Sequence, residues 1–429
     1  MIPINHNSTI LVSAYHIDES HGSEPMIGFN LLEQSLAKFR KTILVTSNTT
    51  DKGLLEKLEK KYQNRIEIHV VQVQSLTWVK HTFAFYPIYR EWQKSSGRYL
   101  EKNSIKFDLG IHATLGTFLF GTGLSFTPYP YVYGPGSFSL FRIGNSRAYG
   151  IKTFLEIARN FLVFGLLILD PFVRKSLRKA NLVIAGDSLA QETLKLLCPG
   201  IQLSQRVIPH FQFPDYDFEI ERLTKKKIDL IWVGRFIERK DPILALEVFR
   251  EMKKTCPNAH LTMIGEGKLR SRAENYIDKF DLSESVNLTG WVEKIEVLKM
   301  MKTANMMIFT SFRETAGAQL FECNSLGTRV LALNATGASS WYVNDLIRFL
   351  PVKFFESRKS LVHRFAQEAI AINNQITHNS KSTSEKIILI DTILSEFGEH
   401  QKNLPYSSSR RSKRELSRKA ILKLLRMSK

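Results

Sequence analysis

Eleven short apolar runs recur along the chain, most of them followed by a stretch of helical periodicity. Runs such as Thr9–Ala14 (TILVSA), Thr42–Thr46 (TILVT) and Met306–Phe309 (MMIF) show no polar alternation. Continuous apolar runs of this length suit strands of a parallel sheet that is covered on both faces. Similar runs lie at Ile66–Val73, Leu109–Ile111, Tyr131–Tyr133 and Leu182–Ala185. After a basic connector at Lys225–Lys227 the pattern restarts at Ile228–Val233 and continues through His260–Ile264, Val286–Leu288 and Arg329–Leu333. Between the strands, Leu31, Leu32, Leu36 and Ala37 mark one helix. Asp241 and Pro242 open another as N-cap and first helical residue, with Leu244, Ala245, Val248, Phe249 and Met252 along its apolar side. Helical patterns also cover Lys268–Lys279, Ile295–Thr303 and Gly317–Leu326. Two successive sets of strand–helix–strand units with right-handed crossovers predict an α/β protein of two doubly wound, Rossmann-like domains facing across a cleft. The expected boundaries are residues 1–210, 211–382, an amphipathic closing helix at 383–400 and a basic tail at 401–429.

Charge narrows the partners. Sixty Lys and Arg against 41 Asp and Glu leave a formal charge of +19, which favours a polyanionic partner. The excess is concentrated. Ser407–Lys429 holds nine cations against Glu415, with Leu416, Ala420, Ile421, Leu424 and Leu425 at helical spacing. Ser139–Ala180 holds eight cations against Glu156 and Asp170, flanking the apolar run Phe161–Leu169. Cations interleaved with apolar residues fit an anionic membrane surface better than a nucleic-acid duplex. A solvated tail and a buried core helix are the competing readings of these two regions. No zinc-finger, RRM or helix-turn-helix pattern supports nucleic acid. The nine-residue run is too short to span a bilayer, and no signal peptide is visible at Met1–Ser8. Cys198, Cys256 and Cys323 lie far apart without CxxC spacing, so neither a disulfide framework nor a metal site is expected. They fit a reducing compartment. The expectation is a cytoplasmic protein, peripheral at the inner face of a membrane.

Four features fall on loops that follow strands, where doubly wound sheets bind ligands. Arg235 and Lys240 lie five residues apart after one strand, so both cations can converge on one polyanion. Gly265-Glu266-Gly267 is a permissive turn after the next strand. Glu314 and Glu322 bracket Gly317, which opens a helix whose N-terminus offers free N–H groups to a phosphate. Gly22-Ser23-Glu24-Pro25 follows the first strand and brings backbone close to whatever binds there. Taken singly, each also fits a solvated loop, an ordinary turn or a dipole-favoured glutamate.

Together these residues resemble the retaining family 4 (group 1) glycosyltransferases of the GT-B fold. The resemblance runs over about Leu11–Leu350 and rests on VGRFIERK (Val233–Lys240), HLTMIGEGKL (His260–Leu269), VNLTGWV (Val286–Val292) and the E-x7-E element Glu314–Glu322, followed by NSLGTRVLAL. HGSEPMIGFN (His21–Asn30), FDLGIHAT (Phe107–Thr114) and YVYGPGSF (Tyr131–Phe138) look like the N-terminal blocks of a subset acting in extracellular polysaccharide and lipopolysaccharide synthesis.

The resemblance implies transfer of a sugar from a nucleotide-diphosphate sugar to a saccharide or lipid-linked saccharide, with retention of configuration and without metal or other cofactor. It implies that Arg235, Lys240, Gly317 and Gly22 surround the donor diphosphate, with Glu322 on the ribose and Glu314 on the transferred sugar. Gly265, Gly267, Trp291 and Val292 would line the base pocket, and His112 would face the sugar as a catalytic hydrogen-bond partner. A structural histidine at a strand end is the competing reading of His112. The pattern departs at Thr310-Ser311, where relatives carry Pro-Ser, and at Ala335-Thr336-Gly337-Ala338, where they carry Gly-Gly. A non-catalytic sugar-nucleotide-binding homologue serving as an assembly partner is the alternative.

Overall fold

The apolar runs form strands, and each sheet is wholly parallel. In the computed structural model the described residues are 4–19, 23–72, 85–140, 149–150, 152–209, 228–314, 317–334, 337–340, 345–353, 356–374 and 389–402. The first sheet contains β1 (Thr9–Ser13), β2 (Lys41–Ser47), β3 (Ile66–Val71), β4 (Leu109–His112), β5 (Tyr131–Gly136) and β6 (Leu182–Ala185), in the order β3-β2-β1-β4-β5-β6. The second contains β7 (Asp229–Val233), β8 (His260–Ile264), β9 (Val286–Gly290), β10 (Met306–Phe309), β11 (Arg329–Leu333) and β12 (Ile347–Leu350), in the order β12-β11-β10-β7-β8-β9. Counted from its own first strand, each sheet is 3-2-1-4-5-6. Strand order therefore reverses between β1 and β4 in one sheet and between β7 and β10 in the other. Loops leaving the two strands at such a point diverge to opposite faces and open a crevice beyond their carboxyl ends.

Helices interleave with the strands: α1 (Ser23–Lys38), α2 (Lys52–Tyr62), α3 (Phe85–Lys102), α4 (Lys152–Leu169), α5 (Pro171–Lys179) and α6 (Ser188–Leu197), then α7 (Pro242–Lys253), α8 (Arg270–Lys279), α9 (Lys294–Thr303), α10 (Ala318–Ser325) and α11 (Arg358–Asn374), and last α12 (Leu389–Lys402). Successive side chains of β7 show why its run is continuously apolar. Leu230 and Trp232 join one core cluster with Val248 and Phe249 of α7 and Phe365 of α11. Ile231 points the other way, into a cluster with Leu298 of α9 and Leu320 of α10. Each such side chain contributes about 1.5–3 kcal/mol through burial.

The chain divides into two units, and the division differs from the sequence boundaries in two places. Ser139–Asn160, placed by sequence within residues 1–210, groups with the second unit. There the Tyr149 and Phe312 rings stand 4.3 Å apart, and Arg313 Nε lies 3.1 Å from Glu156 Oε2. Of the helix expected at 383–400, residues 383–388 lie outside the described residues and the rest lies in α12, which belongs to the first unit. Its Leu389, Ile390, Ile393 and Phe397 complete the first unit's core beside Leu31 and Leu36 of α1. Ile390 N donates to Gln34 Oε1 at 3.1 Å, and Ser204 Oγ donates to Glu396 Oε2 at 2.6 Å. The basic tail from residue 403 onward lies outside the described residues. Among the described residues no helix is long and apolar enough to cross a membrane.

Candidate active site

In the second unit the site grows from the two strands at the reversal point, β7 and β10, which pair Leu230 with Met306 and Ile231 with Met307. After β7 the chain turns at Gly234, forms one 3-10 turn over Glu238–Lys240 and enters α7. Asp241 caps that helix: its Oδ1 accepts from Leu244 N at 3.1 Å, and Pro242 takes the first turn. After β10 the chain runs through Thr310 to Glu314. Thr310 joins the two loops. Its hydroxyl accepts from Trp232 Nε1 at 3.0 Å and donates toward the Lys240 and Asp241 carbonyls, 2.8 and 2.9 Å away. Phe312 N donates to Arg239 O at 3.1 Å.

This stitching brings Lys240 and Glu314 together. Lys240 Nζ lies 2.5 Å from Glu314 Oε2, and Arg239 Nη1 lies 3.1 Å from the same oxygen. The Lys240 ammonium also sits 5.2 Å from the centre of the Phe309 ring. Burial pulls Lys240 below the ordinary lysine range against the attraction of Glu314. Burial acts to raise Glu314, but Lys240 and Arg239 outweigh it and hold the carboxyl below its usual value. Arg235 stands exposed on the same loop. Arg235, Arg239 and Lys240 against Glu238 and Glu314 leave these loops with a net positive charge, which suits a polyanion.

Glu314 and Lys240, expected to act on different parts of a ligand, are thus ion-paired with each other here. Arg239 was not among the expected residues, although its place beside Lys240 in a basic loop was the available signal. Sequence reasoning also missed Arg358 at the start of α11. It grips Asp241 in bidentate fashion at 2.5 and 3.0 Å and reaches Glu247 Oε2 at 2.6 Å, holding the residue that follows Lys240. No local pattern announces a pairing across 117 positions.

Gly317 is the N-cap of α10, with φ 71° and ψ 86°, a left-handed conformation suited to glycine. Glu322 lies one turn deeper, 3% exposed, and its Oε1 is paired with Lys294 Nζ at the start of α9. That pair joins the helix carrying Glu322 to the loop carrying Trp291 and Val292. Trp291 is exposed, and Val292 packs against the cluster containing Leu298 and Leu320.

The two turn glycines serve a purpose the sequence did not disclose. Gly265 has φ +128°, and a Cβ there would collide with the Gly234 carbonyl. A Cβ on Gly267 would lie 2.6 Å from Phe236 O. Gly234 N donates to Ile264 O at 3.0 Å, and Phe236 N to Glu266 O at 2.8 Å. These glycines let the loops after β7 and β8 touch backbone to backbone.

His112 lies in the first unit. His112 ends β4 and is 4% exposed, with Nε2 3.2 Å from Tyr89 Oη and Nδ1 3.1 Å from Thr122 Oγ1. The Tyr133 ring stands edge-on at 4.9 Å. Burial lowers its pKa to about 4, so the ring is neutral at physiological pH. Both nitrogens are thus engaged within the first unit, the arrangement that the structural reading of His112 expects. Gly22 lies outside the described residues. Two residues beyond it, Glu24 in the first turn of α1 accepts from Gly116 N at 3.1 Å, bridging the loops after β1 and β4.

Comparison with known proteins fits this arrangement. Residues 214–367 match the family model of the glycosyl transferases group 1. An uncharacterized glycosyltransferase of Methanocaldococcus jannaschii is 26% identical over 114 residues, 27% of this chain and 28% of that protein. The chain thus spans little more than a quarter of that relative's length. Among solved structures, Anabaena HepE in complex with UDP and glucose superposes with a TM-score of 0.56 at 15% identity, covering 93% of this chain and 100% of that one. WaaG, a glycosyltransferase involved in lipopolysaccharide biosynthesis, gives a TM-score of 0.56 at 14% identity, covering 84% and 90%. The fold is that of GT-B glycosyltransferases, with two Rossmann-like units.

Proposed function

We propose that the protein is a retaining, metal-independent glycosyltransferase of family 4. It moves a hexosyl group from a nucleotide-diphosphate sugar to a saccharide or lipid-linked saccharide in polysaccharide or lipopolysaccharide synthesis. The observation that carries this reading is the pairing of Arg239 and Lys240 with Glu314 at the strand-order reversal of the second sheet, with Arg235 exposed on the same loop. In such a transfer the barrier lies in negative charge developing on the leaving phosphate oxygen. Fixed cations in a partly dry crevice stabilise that charge without reorganising. Arg235 and Lys240 act on the diphosphate, with the Gly317 helix start beneath it. Glu314, freed by phosphate binding to the cations, accepts hydrogen bonds from the transferred sugar. Glu322 exchanges Lys294 for the ribose hydroxyls, and Trp291 and Val292 border the base. The enzyme works at the cytoplasmic face of a membrane, drawn there by the basic segment Ser407–Lys429.

The test is a thermal-shift titration with UDP, GDP, ADP, CDP and their sugar conjugates, beside a Glu322→Ala control. Saturation at 100 times the dissociation constant stabilises the fold by about 2.7 kcal/mol. A shift with one base, lost in the control, supports the donor site, and turnover with an acceptor then separates the enzyme from a binding-only homologue. Chelator should leave transfer intact, whereas a strict divalent-metal requirement would contradict the mechanism.

A further inference from the structure

Helix α4 carries an apolar face that the fold leaves open. In its first-unit part, Phe161, Leu162 and Leu169 are between 53% and 76% exposed, and Ile168 is 40% exposed. At 100° per residue, positions 161, 162, 165, 168 and 169 fall on one side of the helix, a stripe about 12 Å long. Thr153, Asn160, Val163 and Leu167, on the other side, are buried. Gly165 sits on the open stripe, and a Cβ built on it would meet nothing within 4 Å. A contiguous apolar stripe of this kind signals an occupant.

Charge identifies the occupant. The following helix, α5 (PFVRKSLRK), holds four cations and no acid. The two nearby acids are neutralised internally: Glu156 by Arg313 at 3.1 Å, and Asp170 by Arg90 at 2.8 Å. Lys175 and Arg178 are exposed, the Lys179 ammonium donates to Ser125 O at 2.9 Å, and Arg174 Nη1 donates to Ile168 O at 3.0 Å, at the end of the stripe. A second copy of the chain would bring two such cationic sets together, and the tail at 403–429 is itself basic, so neither complements the surface. An anionic lipid surface supplies both acyl groups for the stripe and counter-charge for its rim. We infer that this face of α4, with the cations of α5, docks the protein on an anionic bilayer. The inference rests on the proposed transfer at a membrane and names the surface that makes contact, but its readout needs no turnover.

Gly165→Glu places a negative charge in open space on the stripe without removing any packing, and glutamate is a better helix former than glycine. Gly165→Ala is the control. In co-sedimentation, the full chain and Gly165→Ala should pellet with vesicles of phosphatidylcholine and phosphatidylglycerol, and weakly with phosphatidylcholine alone. Gly165→Glu should partition roughly tenfold or more into the supernatant. Equal pelleting of both variants would overturn the inference. So would a dimer in sedimentation velocity that Gly165→Glu dissolves, which would assign the stripe to a second copy. Pelleting by a chain ended at Lys402 but not by the full chain would assign it to the tail. Nucleotide thermal shifts measured on the same variants should be unchanged. Loss of donor binding throughout, with pelleting intact, would refute the transfer reading alone.

Discussion

Lys240 and Glu314 leave adjacent parallel strands, 74 positions apart in sequence, and meet in an ion pair of 2.5 Å with both side chains largely withdrawn from solvent. Neither charge is stable in that place alone. The Thr310 hydroxyl holds the Lys240 and Asp241 carbonyls on one side, and Arg358 holds the Asp241 carboxylate on the other.

Removing one member of a buried pair leaves the other uncompensated. Glu314→Ala should therefore destabilise the second unit by about 3–5 kcal/mol in chemical denaturation. The double variant Lys240→Met/Glu314→Leu should recover much of that stability while remaining unable to bind nucleotide. A double variant as unstable as the single one would show that the pair's geometry, not its charge balance, holds the loops.

Glu322→Ala should weaken nucleotide binding by about 1.5–3 kcal/mol, or roughly 10- to 100-fold, as expected for hydrogen bonds to a charged group. Calorimetric titration reads this directly. An unchanged dissociation constant would remove the ribose assignment and leave Glu322 only as the partner of Lys294.

Gly265→Ala combines a disfavoured φ with a collision against main chain, and should cost roughly 2–5 kcal/mol. Gly398→Ala in α12, where an added Cβ meets nothing within 4 Å, should instead gain about 0.5–1 kcal/mol. Melting temperatures of the two variants moving in the same direction would contradict this account of the loop contact.

Burial raises Glu24 from 4.5 to about 7, against the hydrogen bond it accepts from Gly116 N. A carboxyl that holds its proton more tightly when folded favours folding at low pH. Its contribution is complete below 4.5 and is lost as pH rises through 7. Between about pH 5 and 8 the native chain should lose stability relative to Glu24→Gln. Parallel stability curves for the two proteins would place the Glu24 carboxyl in an environment resembling water.

What the sequence disclosed was local. Runs such as MMIF and RVLAL state their burial residue by residue, and the Asp-Pro pair states the start of α7. β12 escaped because IRFL is four residues long with a cation inside it. α11 escaped because two of its buried positions, Ala366 and Ala369, are alanines that give a weak apolar signal. The site was legible as a set of loops and illegible as a set of contacts. Nothing near Lys240 announces that Glu314 and Arg239 will occupy it, and nothing near His112 tells that Tyr89 and Thr122 will enclose it. The run Phe161–Leu169 was readable as apolar, but which of its side chains face solvent is decided by elements far away in sequence.

The main-chain contact between the loops after β7 and β8 has a consequence for how such a protein changes over generations. Since the course of these loops is held by glycine backbones and carbonyls, side chains they project at positions such as Glu266, whose ion pair with Arg270 is exposed, contribute little to keeping them in place. Those positions are open to exchange without cost to the scaffold, so preference for one nucleotide over another can drift while the crevice itself endures.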